Sequence, residues 1–326
     1  MDRQRRHLIA LGCALAAFAA SAAAQHVSPL PESGWLADEG RLAALTIEPV
    51  LDREALANAA FTSAMADQYT DAQDLRFDLI VGEFLFKSPL LLGGQAAKAG
   101  LSCHSCHVNG RDNPAFQFPA ISGKPGTADT THNFFSETLG NGTFDPVPIP
   151  DLTEPGKVRH DIDSEELEGF IKTIVVDEFG GSNADEALIR PLAAFVRAVR
   201  LSGGRTGAST RSLQRDLEDA RMMVEQARRL TAANSSAVST VLLAGARDRL
   251  FVVYERLLPN KHSSEREWLV EQSRNLGRAQ SLLRQEKSVS GQLDQWLADF
   301  GTAPDFTTVE PESLYNPVIL KSALTQ

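Results

Sequence analysis

Two cysteines and a histidine near residue 105 are the residues of this chain whose types and spacing point most directly to chemistry. They belong to the segment Cys103-His104-Ser105-Cys106-His107, in which two residues separate the thiols and a histidine follows the second thiol at once. Two thiols at this spacing can add to the two vinyl groups of one porphyrin, which brings the adjacent imidazole to the iron. The segment therefore predicts one covalently bound haem c, attached through Cys103 and Cys106, with His107 as the proximal iron ligand.

Three other kinds of site also use cysteines at this spacing. A redox dithiol of the thioredoxin type follows a strand, whereas residues 93–100 have the composition of a loop. A zinc site needs a second Cys or His pair, and no cysteine follows Cys106. A structural disulfide between Cys103 and Cys106 is the third alternative. The sequence favours haem over these three, because little else uses two such cysteines followed directly by histidine.

The N-terminal residues have the pattern of a cleavable secretory signal peptide. Three arginines among residues 3–6 precede an apolar run over residues 8–20, and three alanines follow at 22–24. We therefore expect residues 1–24 to be removed, together with Cys13, and the mature protein to be periplasmic. Export agrees with the haem motif, since thiol attachment of haem takes place outside the bacterial inner membrane. No later run reaches about 18 apolar residues, so no membrane span is expected in the mature chain.

The charge of the chain bears on its partners. The 326 residues include 32 Lys and Arg and 42 Asp and Glu, for a net charge of −10, and loss of residues 1–24 takes it to −12. Such an acidic chain argues against binding to nucleic acid or to anionic membranes. A redox partner protein with a basic docking face would suit it, although acidic charge also serves simply to keep a secreted protein soluble.

Helical periodicity divides the chain into regions. An N-terminal arm over residues 25–70 is weakly patterned, and residues 71–203 contain the haem motif. The glycine-rich linker at 202–207 precedes a predicted helical domain over residues 208–300, and residues 301–326 form a C-terminal tail. The prediction is an all-α fold, with a cytochrome c-like haem domain followed by an antiparallel helical domain.

Within the haem region the sequence predicts three helices and one long loop. The first starts near Asp74 and is ended by Pro89, and residues 108–159 have almost no helical period. A helix is expected after a capping box at Asp163 and Glu166, and another over residues 185–200, with Pro191 limiting where it can begin.

A glycine in the first of these helices suggests how the helices pack. Gly82 lies beside aromatic residues, and the last helix of the region presents Phe195. In the cytochrome c plan a glycine lets the two terminal helices cross closely.

The helical domain shows three apolar stripes. They cover residues 213–230, 238–257 and 269–300, the last with a kink near Ser288 and a capping box at Ser264 and Glu267.

From Val81 to Leu201, about 40% of the chain, the sequence resembles one haem domain of the bacterial di-haem cytochrome c peroxidase and methylamine-utilisation maturase family. The resemblance is carried by Gly82-Glu83-Phe84-Leu85-Phe86, by Ser88-Pro89-Leu90, by the haem motif after Gly100, and by Asn109-Gly110-Arg111. It implies a cytochrome c-like haem domain and an oxidoreductase. The family carries two haem motifs and this chain has one, so the usual relay between two haems cannot be housed in it.

The second axial ligand of the iron is left open by the sequence. No methionine occurs between His107 and Met222. His160 is the leading distal candidate because it lies just ahead of a predicted helix, and the others are His132, Met65, Met222 and an open or water-bound iron. Arg111 and Arg159 are candidates for pairing with the haem propionates.

Three functions follow from these alternatives. A six-coordinate haem favours one-electron transfer. An open iron favours a peroxidase-related or maturase-like enzyme that acts on hydrogen peroxide or on a partner protein. A non-redox haem sensor or interaction module, with the helical domain as its output, is the third.

Overall fold

The computed structural model describes residues 51–61, 69, 71–119, 121–154, 166–182, 185–203, 212–232 and 236–324. The protein is mostly helical, as the sequence predicts. No helix in this part of the chain is long and apolar enough to cross a membrane. The α-helices are α1 (Arg53–Phe61), α2 (Ala72–Lys87), α3 (Gly94–Lys98), α4 (Cys103–Cys106), α5 (Glu166–Thr173), α6 (Glu186–Leu201), α7 (Leu213–Ala232), α8 (Ser236–Arg256), α9 (Ser263–Leu283), α10 (Ser290–Phe300) and α11 (Pro317–Leu324).

Two small antiparallel ribbons hold the long loop after the cysteine motif. One pairs β1 (His107–Val108) with β2 (Arg111–Asp112), and the other pairs β3 (Thr127–Ala128) with β4 (Val147–Pro148). The loop is otherwise made of turns, which agrees with its lack of helical period. The ribbons return residues 147–152 to the neighbourhood of His107.

The close crossing of α2 and α6 depends on Gly82. A Cβ atom on Gly82 would lie closer than 3.0 Å to the carbonyl oxygen of Pro191 and to Cβ of Phe195. The expectation that this glycine admits a close helix crossing is therefore confirmed. Helix α2 ends at Lys87, just before Ser88 and Pro89, also as predicted.

Pro191 does not limit the start of α6, so that prediction is wrong. The helix begins at Glu186, with the side chain of Asp185 accepting a hydrogen bond from the backbone of Ala187, and Pro191 lies inside it. A proline here removes one backbone hydrogen bond. Buried apolar contacts of this helix, including those of Leu192 and Phe195, offset that loss.

Helix α5 is tied to α6 by an ion pair. The guanidinium of Arg197 donates two hydrogen bonds to the carboxylate of Glu168, at 2.7 and 2.9 Å. After Thr173 the helix widens into a π-helical turn, Ile174–Glu178. Glu166 is the first described residue of α5, and the predicted cap residue Asp163 lies outside the described residues.

The C-terminal region forms the antiparallel helices that the apolar stripes predict, with two corrections. Helix α9 begins at Ser263 and has no side-chain cap, so the capping box predicted at Ser264 and Glu267 is wrong, and the hydroxyl of Ser264 bonds to Glu265 instead. Helix α10 is a separate helix rather than the kinked continuation of α9, because residues 284–289 form a turn between them.

Residues 71–203, which contain the cysteine motif and are called the haem-motif region, share one apolar core with the helical region of residues 208–300. Gly245 of α8 lies against Phe84 of α2 and Met223 of α7, where an added Cβ would be 2.9 Å from the Phe84 ring and 2.7 Å from the Met223 sulfur. The C-terminal residues pack on the same helices, because the Tyr315 hydroxyl donates to Asp216 at 2.7 Å.

Candidate functional site

An apolar cavity of about 280 Å³ lies beside the cysteine motif, and we call it the cysteine cavity. Its volume is near the lower end of the range for small-molecule sites, about 300–1,000 Å³. Its walls are formed by helices α2, α5 and α6, by the π-helical turn, and by the end of the long loop around residues 147–152. The apolar side chains of these walls include Phe86, Leu101, Ile121, Ile149, Leu167, Phe170, Ile171, Val175, Leu192 and Val196.

Both cysteine thiols line this cavity because of the short helix α4. Ser102 begins the helix with a reciprocal capping arrangement, in which its backbone amide donates to the Ser105 hydroxyl at 3.0 Å. Cys103 and Cys106 are three residues apart, so their side chains lie on one face of the turn. Neither cysteine forms a disulfide.

Burial controls the protonation of the two thiols. It raises the pKa of Cys103 to about 11 and that of Cys106 to about 12, with the neighbouring cysteine adding to the second shift. Both are therefore neutral thiols at pH 7. Redox dithiols react as thiolates, which this environment disfavours.

His107 is held in a definite orientation and tautomer. Its Nδ1 lies 3.0 Å from the carbonyl oxygen of Pro150, and since a carbonyl only accepts, Nδ1 carries the proton. The lone pair of Nε2 is then available to a metal, which is the usual arrangement of metal-binding histidines. Burial lowers the pKa of His107, although the bond to Pro150 opposes this, so the ring is the neutral form that ligates metals.

The turn after the motif is shaped by Asn109 and Gly110, both of which have positive φ. A side chain on Gly110 would collide with Val199 of α6, since its Cβ would lie closer than 3.0 Å to that side chain. The amide of Asn113 donates to the Ser105 carbonyl at 2.9 Å, and the amide of Leu152 donates to the Gly110 carbonyl at 2.8 Å. These bonds fix the motif and the loop that carries Pro150 against each other.

One carboxyl group lies in the wall of the cysteine cavity. Glu178 ends the π-helical turn, and its pKa is raised by burial, while a hydrogen bond from the Thr130 side chain partly opposes the shift. Sequence reasoning missed both Glu178 and Pro150. Residues 145–150 contain three prolines, but nothing in this segment of the sequence indicates which carbonyl meets His107.

The other residues singled out in the sequence lie elsewhere. Arg111 is an exposed residue of β2 whose guanidinium donates to the Gly203 carbonyl at 2.7 Å and lies 3.6 Å from Asp151. His132 packs edge-on against Phe144, and Met222 lines a different crevice, so neither lines the cysteine cavity. The positions of Met65, Arg159 and His160 lie outside the described residues.

Comparison with protein-family models, curated proteins and solved structures finds no match to this chain. Among the positions described, no group of three or more His, Cys, Asp or Glu side chains converges on a common point. The arrangement instead offers two neutral thiols and one oriented imidazole at the wall of an apolar cavity.

Proposed function

We propose that this protein is a periplasmic c-type cytochrome that carries one haem, bound covalently through Cys103 and Cys106, and that transfers single electrons to or from a partner protein. The observation that carries the proposal is the bond from Nδ1 of His107 to the Pro150 carbonyl. This bond leaves Nε2 of the same ring free, beside two thiols on one face of a helical turn, so that His107 would hold the iron of a haem attached to those thiols.

The residues present fit a haem c better than the other sites that such cysteines serve. Apolar walls suit the faces of a porphyrin, and burial disfavours the thiolate that a redox dithiol would use. The described residues hold no group of three or more side chains that would ligate zinc. The resemblance of residues 81–201 to a haem domain supports the cytochrome c-like fold in this proposal. The predicted signal peptide at residues 1–24 supports the periplasmic location.

Bound haem iron supplies a reversible one-electron couple. The chain's own residues bind and tune it. His107 would hold the iron through Nε2, the Pro150 carbonyl fixes the orientation of the ring, and the apolar walls would limit the access of water, which affects the reduction potential. The acidic surface implied by the net charge favours a redox partner with a basic docking face.

Glu178 supports a second candidate function, that of a peroxidase-related or maturase-like enzyme. It is the only acidic residue among the described residues that line the cysteine cavity, and its raised pKa favours the protonated carboxyl. A protonated carboxyl in an apolar site can deliver a proton to a bound oxidant such as hydrogen peroxide. This role would require an iron that can bind peroxide.

Expression in a host that exports the chain and attaches haem tests the leading proposal. We expect a coloured protein with a pyridine haemochrome spectrum and a mass increase of one haem, resistant to denaturing extraction. The double variant Cys103→Ala, Cys106→Ala should lose the covalent haem. A colourless, correctly folded wild-type protein without this mass increase would refute the proposal.

Matched variants separate the two functions. His107→Ala should change the iron spectrum, while His132→Ala serves as the histidine control because His132 packs on Phe144. A low-spin ferric spectrum that peroxide leaves unchanged supports electron transfer. A high-spin spectrum, with a peroxide reaction slowed by Glu178→Gln, supports the enzyme.

A further inference from the structure

A second crevice lies where the haem-motif region meets the helical region, and we call it the Asp78 crevice. Its volume is about 720 Å³, which falls within the range of small-molecule sites, about 300–1,000 Å³. Helices α2 and α6 line one side and helices α7 and α8 line the other. It shares no described lining residue with the cysteine cavity, so it is a separate place on the molecule.

Asp78 is a buried carboxylate in the wall of this crevice, and one of its two oxygens has no described partner. The residue is 2% exposed. The Tyr69 hydroxyl donates to Oδ2 at 2.8 Å, and Nη2 of Arg190 lies 3.4 Å from the same oxygen. Among the described residues no donor reaches Oδ1. A buried acceptor without a donor costs free energy, so Oδ1 is a place where a ligand's donor would be stabilising.

The protonation of Asp78 shows that its negative charge is incompletely compensated. Burial raises the pKa of Asp78, the hydrogen bond from Tyr69 and the charge of Arg190 oppose the shift, and the charge of Asp74 adds to it. The pKa stays raised on balance, so the described partners do not fully offset the burial of the carboxylate. A positive group beside Oδ1 would supply the missing stabilisation.

Arg190 offers hydrogen-bond donors next to this carboxylate. Its side chain is 61% exposed and contacts Asp78 through Nη2. Its Nη1 and Nε have no acceptor among the described residues. A guanidinium pairs well with a carboxylate through two parallel hydrogen bonds. The pair of Asp78 and Arg190 therefore presents an acceptor and several donors side by side.

The remaining walls of the crevice combine apolar surface with balanced charge. The apolar side chains in the described lining are Phe77, Val81, Pro191, Met222, Leu230, Val238 and Leu242. The charged side chains in the same lining are three acidic and three basic ones, Asp74, Asp78, Glu225, Arg76, Arg190 and Arg229. A ligand with one charge of each sign and an apolar part suits this lining better than a simple anion or cation.

We propose that the Asp78 crevice binds a free α-amino acid with an apolar side chain. The ammonium group donates to Oδ1 of Asp78, and the carboxylate accepts from Arg190. Both groups of an α-amino acid are attached to one carbon, which matches the closeness of these two side chains. The apolar side chain of the ligand lies on the apolar wall. The site is independent of haem and of the proposed electron transfer.

Isothermal titration calorimetry of L-leucine, L-methionine and L-phenylalanine into the purified protein tests this site. We expect at least one of them to bind, with one molecule per chain. Its analogues without the carboxylate or without the ammonium group, for leucine isoamylamine and isocaproate, should bind about tenfold or more weakly, since each loses a charge-assisted bond. Glycine should bind about tenfold or more weakly as well, since it has no side chain to bury.

Matched variants assign the binding to the two side chains. Asp78→Asn and Arg190→Gln should each weaken binding about tenfold or more. Arg278→Gln is the control, because it makes the same charge change as Arg190→Gln at an exposed arginine outside the crevice, and its affinity should equal that of wild type. Circular dichroism checks that each variant is folded.

Three results would overturn the proposal. The first is the absence of binding tighter than about 1 mM by all three amino acids. The second is equal binding by wild type, Arg190→Gln and Arg278→Gln, which remains decisive if Asp78→Asn does not fold because Arg190 is exposed. The third is equal binding of the amino acid and its amine analogue, which would remove the role of Arg190 in holding a carboxylate.

Discussion

At the scale of single residues, the cysteine cavity combines a neutral imidazole with a carboxyl group whose pKa is raised. His107 is neutral because burial outweighs its bond to Pro150, and Glu178 favours its protonated form because burial outweighs its bond from Thr130. The same apolar walls therefore act on both groups, favouring the uncharged form of each.

The raised pKa of Glu178 predicts a pH-dependent effect of Glu178→Gln on stability. A carboxyl whose pKa is raised on folding destabilises the folded state as pH rises above its unfolded pKa, and the effect is complete once pH exceeds the folded pKa. The variant should therefore gain free energy of unfolding relative to wild type at neutral pH, and the gain should vanish in acid. Urea titrations at several pH values measure it. A gain that persists in acid would contradict the assignment.

His160 is the residue that the sequence favours as the distal ligand. The described lining of the cysteine cavity contains no methionine and no histidine besides His107, so a second protein ligand to the proposed haem iron would have to come from other residues. We expect His160→Ala to shift the ferric spectrum from low spin toward high spin, and to allow cyanide to bind faster. An unchanged low-spin spectrum would remove His160 as the ligand.

At the scale of elements, the crossing of α2 and α6 positions one wall of the cavity. Gly82→Ala should destabilise the protein by about 1–3 kcal/mol, because the added methyl meets backbone and Cβ atoms of α6 that cannot rotate away. Gly169→Ala in α5 is the control, since no atom lies within 4 Å of the added methyl, and it should stabilise by about 0.5–1 kcal/mol. Chemical denaturation of both variants measures the difference. Equal effects of the two substitutions would show that the crossing tolerates a side chain.

The helices and this crossing could be predicted from the sequence because both depend on local patterns. Apolar periodicity places α7, α8 and α9, and a glycine among large residues indicates close packing. The partner of His107 could not be predicted, since Pro150 lies 43 residues away and any carbonyl of that loop has the same chemistry. The π-helical turn that carries Glu178 has no sequence pattern of its own.

At the scale of the whole molecule, one arginine joins the haem-motif region to the helical region. Arg53 of α1 donates to Glu83 of α2 at 2.8 Å and makes two bonds to Asp219 of α7, at 2.7 and 2.8 Å. Both carboxylates are almost fully buried. Burial alone would raise the pKa of Glu83, but Arg53, assisted by Lys87 and Arg249, holds it well below its ordinary value.

Removal of this arginine should weaken the whole molecule in a pH-dependent way. Arg53→Ala leaves two buried carboxylates without their shared partner, which typically costs about 3–5 kcal/mol. Because the pKa of Glu83 is lowered on folding, the stabilisation is present above its unfolded pKa and is lost as pH falls through the folded value. The difference between wild type and Arg53→Ala should therefore be largest at neutral pH and shrink in acid. Arg221→Ala, which breaks only an exposed pair with Glu225, should cost about 1 kcal/mol or less. A pH-independent loss in Arg53→Ala would mean that packing of α1, rather than its charge, joins the two regions.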